Sequence, residues 1–346
     1  MKRQSVVFTR PRMVEIVEET LADDLGDHQI LAQTVVSAIS PGTELLIYRG
    51  QAPDDLAMDD TLAALSGSFA FPIKYGYSAV GRVIKMGKAV DRSWLDKLIF
   101  AFNPHETFFV ANVQDIHIVP EGISPEEAAF LPNIETAVNF VMDGRPMIGE
   151  HVVVFGQGIV GLLTAALLRQ TPLARVIAVD RYPSRREASL RLGVEASLDP
   201  DNPDFIAEAL QHLGSDSLAS GADLSLELSG SPVALDQAIK VTGFAGRIVI
   251  GSWYGQKPVS LSLGGKFHRS RITLISSQVS TIHPELTGRW DKTRRFQVAW
   301  DAIRQIRPAQ FITHRVPFEQ AAEAYRLYDE QPQDALQIVL TYGSSQ

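Results

Sequence analysis

The chain has no cysteine anywhere in its 346 residues. Disulfides, thiolate metal ligands and cysteine nucleophiles are therefore excluded, and the absence fits a reducing, cytoplasmic setting. Long unbroken apolar runs are lacking as well. The longest, Val152 to Leu168, is interrupted by Gly156-Gln157-Gly158, so a membrane span is the poorer reading. The opening residues, Met1-Lys2-Arg3-Gln4-Ser5-Val6-Val7-Phe8, show neither an apolar leader nor a cleavage pattern. Repeats and low-complexity stretches are missing. So is an excess of positive charge: the formal net charge of -8 disfavours nonspecific binding to nucleic acid. The apolar and charged fractions are those of a soluble globular protein. A length of 346 residues exceeds one ordinary hydrophobic core, which predicts two domains.

The chain is organised around His151 to Asp180. His151-Val152-Val153-Val154-Phe155 is apolar and β-branched, as a buried strand requires. Gly156-Gln157-Gly158-Ile159-Val160-Gly161 follows, then an apolar helix to Arg169 and a second strand closing on Asp180. Gly156 permits the tight turn, Gly158 lets the backbone approach a pyrophosphate, and Gly161 lets the helix lie close to the sheet. N–H groups at the helix start meet phosphates. Asp180 stands nineteen positions beyond Gly161, where a carboxylate accepts from a ribose 2′-hydroxyl. The pattern predicts a dinucleotide site.

Residues 1 to about 120 read as short β-strands between turns, at Ser5–Thr9, Gln33–Ile39, Ala79–Met86, Leu98–Phe102 and Thr107–Val110. Pro53 to Leu65 suggests one short helix. Ser124-Pro125-Glu126-Glu127 is a capping box that opens a helix. From there strands and helices alternate: strands at Val152–Phe155, Val176–Asp180, Leu224–Leu228, Ile248–Ile250 and Ile272–Ile275, with helices between them. This is the pattern of an α/β, doubly wound parallel sheet. A helix over Phe296 to Ile306, an amphipathic helix around Pro317 to Tyr325 and a strand over Leu336 to Thr341 complete the chain. Domains are expected at 1–123 (catalytic, mostly β), 124–276 (dinucleotide-binding) and 277–346 (a return to the catalytic domain).

This order of parts resembles the medium-chain dehydrogenase/reductase family, of the alcohol dehydrogenase and quinone oxidoreductase type. The likeness rests on Ser40-Pro41-Gly42-Thr43-Glu44-Leu45, Tyr75-Gly76-Tyr77-Ser78-Ala79-Val80-Gly81, Phe100-Ala101-Phe102-Asn103-Pro104-His105 and the nucleotide motif. Glu227-Leu228-Ser229-Gly230-Ser231-Pro232 and Thr313-His314-Arg315-Val316-Pro317-Phe318, with Ala321 and Tyr325, extend it. It implies a GroES-like catalytic domain, a Rossmann domain inserted in it, and a substrate cleft between them. Within the family, Phe267-His268-Arg269 through Ser276-Ser277-Gln278-Val279 to Arg289-Trp290 is similar to the bacteriochlorophyllide a dehydrogenase branch. The resemblance also implies a homodimer or homotetramer acting on a small molecule. Zinc-dependent members place metal ligands where this chain has Pro41, Tyr77 and Pro132. Proline has no ligand atom and phenol is rarely a zinc ligand. The lobe of cysteines that holds a structural zinc is missing too, so no metal is expected.

Hydride transfer between an alcohol and a ketone needs a placed nicotinamide, a group to polarise oxygen and a proton relay. Tyr77 is the first candidate for the polarising donor, with space-filling as the alternative. Thr43 matches the family's relay hydroxyl or caps a turn. Glu44 orients Thr43 or is a helix-start glutamate, and His105 is an acid/base candidate or a solvated loop histidine. Arg289 to Arg295 is a clamp for a substrate anion or a solvated helix start. Cofactor contacts are expected at Thr136, Gly156, Gln157, Gly158, Ile159, Val160, Gly161, Asp180, Arg181, Arg185, Ser229, Gly251 and Ser277. Asp180 favours NAD. Arg181, Arg185 and Arg186 keep NADP open. The function expected is a zinc-independent alcohol/ketone oxidoreductase; a reductase of activated C=C bonds and a nucleotide-binding protein without turnover are the alternatives.

Overall fold

The computed structural model describes residues 1–22, 24–53, 67–214 and 220–343. The helix suggested for Pro53 to Leu65 lies outside the described residues, save Pro53 itself. Two compact units make up the chain: Met1–Pro132 with Ile303–Gln346, and Asn133–Ala302.

The first unit opens with β1 (Lys2–Arg10), β2 (Met13–Thr20), β3 (Gln29–Ala38), the short helix α1 (Thr43–Tyr48) and β4 (Ile73–Lys74). It continues through β5 (Ala79–Met86), β6 (Leu98–Ala101), β7 (Phe108–Asn112), β8 (Ile116–Ile118) and α2 (Pro125–Ala128). Ser124 caps α2 as its sequence predicts: its hydroxyl accepts from Glu127 N while the Glu127 carboxylate accepts from Ser124 N. This helix is only one turn long, and a separate, longer one begins at Leu131.

The second unit is built from α3 (Leu131–Gly144), β9 (His151–Phe155), α4 (Ile159–Leu168), β10 (Arg175–Val179), α5 (Pro183–Arg191) and β11 (Ala196–Leu198). α6 (Phe205–His212), β12 (Ala222–Glu227), α7 (Pro232–Val241), β13 (Thr242–Ile250), β14 (Thr273–Ser276) and most of α8 (Lys292–Ile306) complete it. Its six strands are parallel in the order β11-β10-β9-β12-β13-β14. Val152, Val153 and Val154 of β9 are wholly buried, as expected for a strand covered on both faces. The strand order reverses between β9 and β12. That is the switch point at which doubly wound sheets bind ligands, beyond the carboxyl ends of the strands.

The chain then returns to the first unit with β15 (Ile312–Pro317), α9 (Ala321–Glu330) and β16 (Gln337–Thr341). β16 pairs antiparallel with β3, placing Leu340 opposite Ser37 in the sheet β15-β16-β3-β5-β6-β8. Tyr325 of α9 packs edge-on against Phe8 at 5.0 Å and stacks on Tyr48 at 5.6 Å, which ties the last helix into the core. The return falls at Ile303, whereas the sequence pattern places it at 277. Residues 277–302 stay with the second unit because Arg295 is buried against Glu135 and Asn139 of α3.

Candidate active site

In the second unit the turn after β9 has the geometry a dinucleotide requires. Gly156 has a φ of +89°, a conformation that glycine adopts freely, and a Cβ on it would stand 2.7 Å from the Ser229 backbone. The loops after β9 and β12 therefore touch at the switch point. A Cβ on Gly161 would lie 1.8 Å from the Gly156 carbonyl oxygen, so α4 sits directly on the turn. Gly158 is the N-cap of α4 and carries no side-chain cap. A Cβ there would meet only the Arg185 guanidinium, 3.8 Å away. Uncapped N–H groups at the start of a ten-residue helix, under open space and beside a guanidinium, fit a pyrophosphate.

Asp180 follows β10 and is nearly buried. Its Oδ2 accepts from Gln157 N at 2.7 Å and its Oδ1 from Tyr182 N at 2.8 Å. Two backbone donors thus fix the carboxylate beside the glycine turn. Its arginine neighbours are occupied in different ways. Arg181 pairs with Asp201 at 3.0 Å, and Arg186 pairs with Asp199 at 3.2 Å while donating to the Asp180 carbonyl. Arg185 lies over the Tyr182 ring at 4.9 Å. Ile159 and Val160 form the first turn of α4. Gln157 is buried, with its amide donating to the carbonyls of Val154 and Gly156.

The remaining expected cofactor residues lie on the loops that leave β12, β13 and β14, or on α3. The Ser229 hydroxyl is turned inward and donates to Glu227. Glu227 is wholly buried and also accepts from Ser229 N, Gly230 N and the Tyr254 hydroxyl. Burial and this carboxylate push the Tyr254 phenol far above its ordinary value. Gly251 packs beneath Phe140, whose ring would be 2.4 Å from a Cβ on it. The Ser277 hydroxyl donates to Asp143 at 2.6 Å. Both serine hydroxyl protons are thus committed within the unit, to Glu227 and Asp143. Thr136 sits half-buried on α3, next to Glu135.

In the first unit the candidate catalytic residues come together. α1 starts at Thr43, and a one-turn helix buries Glu44 completely. Glu44 is thus neither a surface residue nor a plain helix-start acid. Its Oε2 receives His105 Nε2 at 3.0 Å and the Tyr325 hydroxyl at 2.5 Å; its Oε1 accepts from Ser40 N at 2.7 Å. His105 is wholly buried rather than solvated. Its Nδ1 lies 2.7 Å from Ser37 Oγ, which is 2.8 Å from the Tyr342 hydroxyl. Gly76, at φ +132°, leaves room for the imidazole, since a Cβ there would be 2.8 Å from the ring. Tyr77 donates to Ser40 Oγ and stands 3.4 Å from Thr43 Oγ1. Burial raises the Tyr77 phenol above its ordinary value, and the Ser40 and Thr43 hydrogen bonds oppose the shift.

Ser40, Ser37, Tyr325, Tyr342, Glu227 and Tyr254 belong to these networks and carried no role in the sequence. Ser40 and Tyr325 sit inside recognisable motifs, but only the fold shows what their hydroxyls touch. Arg295 overturns an expectation. It is no clamp for a substrate anion, because it is wholly buried in an ion pair with Glu135. Arg294 lies over the Trp290 ring at 4.0 Å.

The donor set around Tyr77 does not fit a tetrahedral zinc. Its near atoms are hydroxyls, and Glu44 and His105 are bonded to each other. Among the described residues no group of three or more His, Asp or Glu side chains is placed to hold a metal. No helix among them is long and apolar enough to cross a membrane.

Comparison with known proteins extends this picture. Residues 160–295 match the family model described as zinc-binding dehydrogenase. D-guloside 3-dehydrogenase of Escherichia coli K12 is 24% identical over 98% of this chain and 100% of its own length. The fold is that of 2R,3R-butanediol dehydrogenase from Bacillus subtilis, with a TM-score of 0.79 at 17% identity over 98% of this chain and 99% of that one. An alcohol dehydrogenase from Escherichia coli CFT073, solved with NADH, superimposes with a TM-score of 0.78 at 17% identity over the same shares. The mostly β unit is a GroES-like domain and the parallel-sheet unit a Rossmann domain. The chain is an oxidoreductase of the dehydrogenase class, similar over nearly its whole length to medium-chain dehydrogenases/reductases of the alcohol dehydrogenase type.

Proposed function

We propose that this chain moves hydride between a nicotinamide cofactor and a secondary alcohol or its ketone, without zinc. The observation that carries the reading is the half-buried cluster of Tyr77, Ser40 and Thr43 hydroxyls, backed by the wholly buried Glu44 and His105. The relatives named for a guloside and a butanediol support a secondary alcohol as the substrate class.

A nicotinamide dinucleotide supplies the hydride when bound. The first half of the Rossmann sheet offers it the uncapped α4 N-terminus and the Asp180 carboxylate. NAD is the cofactor we infer. Asp180 is fixed beside the glycine turn by two backbone donors, while Arg181 and Arg186 are paired to Asp201 and Asp199. A 2′-phosphate would meet a fixed negative charge there.

Charge on the substrate oxygen is met by the Tyr77 phenol. Burial keeps that phenol protonated at neutral pH. To donate outward it must release Ser40, whose own hydroxyl proton then turns toward the phenol oxygen. Thr43 is the second hydroxyl within reach. Glu44 holds Ser40 through its backbone N–H. Both ring nitrogens of His105 are committed to Glu44 and Ser37, so His105 acts through Glu44 as a positioning residue.

The test is turnover of secondary alcohols, ketones and enones with NAD(H) and NADP(H), with and without a chelator. Alcohol or ketone turnover with NAD(H), indifferent to chelator, is expected. Activity lost to chelator and restored by zinc would overturn the metal-free reading. Turnover of enones alone would make the chain a C=C reductase, and tight NADH binding without turnover a nucleotide-binding protein.

A further inference from the structure

Arg295 lies on α8 at the end of the basic run Arg289 to Arg295, yet it is among the largest fully buried side chains of the described residues. All five of its guanidinium N–H donors have acceptors. Nε and Nη2 donate to Glu135 Oε1 at 3.0 and 2.7 Å. Nη1 donates to Asn139 Oδ1 at 2.6 Å and to the Thr281 carbonyl at 3.1 Å, and Nη2 also donates to the Val279 carbonyl. One planar fork therefore joins two pieces of chain: helix α3, through Glu135 and Asn139, and the loop Ser277–Thr281. Asn139 continues the link, donating from Nδ2 to Ser277 Oγ at 3.0 Å, and Asp143 accepts the Ser277 hydroxyl proton. Glu135, Asn139 and Asp143 recur every fourth residue and so line one face of α3. Burial holds the Glu135 carboxyl above the usual carboxylate range, with Arg295 opposing.

The loop so held is the one that leaves the carboxyl end of β14. In a doubly wound sheet the two halves on either side of the switch point each receive one mononucleotide. Asp180 marks the β9-β10-β11 half as the adenylate side. The β12-β13-β14 half then receives the nicotinamide mononucleotide, and Ser277–Thr281 belongs to its rim. Thr136 stands beside Glu135 on the helix that the fork grips.

We propose that Arg295 is a positioning residue for the nicotinamide half of the cofactor, fixing the Ser277–Thr281 loop to α3. This rests on the dinucleotide reading above. Arginine is required rather than lysine, because an ammonium has three donors and cannot span a carboxylate, an amide and two carbonyls on opposite sides.

The experiment compares binding of ADP-ribose, which lacks nicotinamide, with binding of NADH, by calorimetry on the whole protein. Arg295→Lys is expected to leave ADP-ribose affinity within about twofold of wild type while weakening NADH at least about tenfold, as misplaced contacts do. Equal loss of both ligands, or loss of neither, overturns the proposal and leaves Arg295 a purely structural residue. Should Arg295→Lys fail to fold, Asn139→Ala decides. It keeps the Glu135 pair but removes one acceptor of Arg295 and one of the two α3 hydrogen bonds to Ser277, so a smaller split in the same direction must appear; its absence overturns the proposal equally. Wild-type protein that binds neither ADP-ribose nor NADH removes the dinucleotide reading itself, and this inference with it.

Discussion

Tyr77 illustrates how far single residues could be read before the fold was known. Its motif marked it as standing where related enzymes hold a metal, and cysteine-free chemistry left a phenol to act there. The partners were not legible. Ser40 Oγ and Thr43 Oγ1 reach Tyr77 only because β3, α1 and the start of β5 converge. Glu44 and His105 are 61 positions apart and meet at 3.0 Å in a site no spacing rule describes. Tyr77→Phe keeps the packing and removes one donor. Turnover should fall about ten- to a thousandfold, the scale of one lost oxyanion donor or proton-transfer group. NADH affinity should hold, since the glycine turn is untouched. Steady-state kinetics beside an NADH titration measures both, and an unchanged rate on the true substrate would reduce Tyr77 to filler. Asp180→Ser tests the cofactor choice in the same way. A carboxylate near a phosphate costs roughly one to a few kcal/mol at surface-like dielectric. Wild type should bind NAD(H) the tighter, and the variant should narrow or reverse the gap. Tighter NADP(H) binding by the wild type would mean that the arginines outweigh the acid.

At the scale of elements, the Rossmann half is legible because its central strands β9 and β10 are buried on both faces and so read as unbroken apolar runs. β9, β10, β12 and β14 lie at the expected places, β13 (Thr242–Ile250) starts well before the expected Ile248, and Gly193 ends α5 at a φ of +84° as a C′ glycine should. β2 went unread although Val14, Glu15 and Ile16 alternate, because its outer face is acidic and three glutamates mask the pattern. β8 and β11 have three residues each, too few for any period to show. α3 begins at Leu131 immediately after a one-turn helix, so the capping box before it signalled one helix where there are two. The βαβ turn itself offers a sharp test. Gly161→Ala drives a Cβ to 1.8 Å from the Gly156 carbonyl, a backbone atom that cannot yield as a side chain can. α4 must then move off the turn. Overpacking of this kind costs about 1–3 kcal/mol, a fall in Tm of several degrees for a domain of this size. Dinucleotide affinity should fall with it. Thermal unfolding and NADH titration of the variant check the pair, and wild-type values for both would show that the close approach has no functional weight.

For the whole molecule, the buried phenols set the alkaline limit. Burial raises the ionisation of Tyr77, Tyr325 and Tyr342 in the first unit and of Tyr254 in the second, and for Tyr325 and Tyr254 the adjoining carboxylates of Glu44 and Glu227 add to the shift. In the unfolded chain these groups lose their protons near pH 10. In the folded chain they keep them to higher pH. Above about pH 10 the unfolded state therefore binds fewer protons than the native one, and stability falls as pH rises. Below that value the phenols are neutral in both states and contribute no slope. Each such group steepens the fall by up to about 1.4 kcal/mol per pH unit until it ionises in the native state as well. Tyr342 is the cleanest to remove. Its hydroxyl meets Ser37 Oγ and its ring packs 4.9 Å from Phe318, a contact that phenylalanine preserves. Denaturant unfolding of wild type and Tyr342→Phe should give parallel stabilities from pH 7 to 9, offset by the lost hydrogen bond. Above pH 10 the variant should lose stability more slowly. Equal alkaline slopes in the two proteins would mean that Tyr342 ionises in the native state as readily as in the unfolded chain.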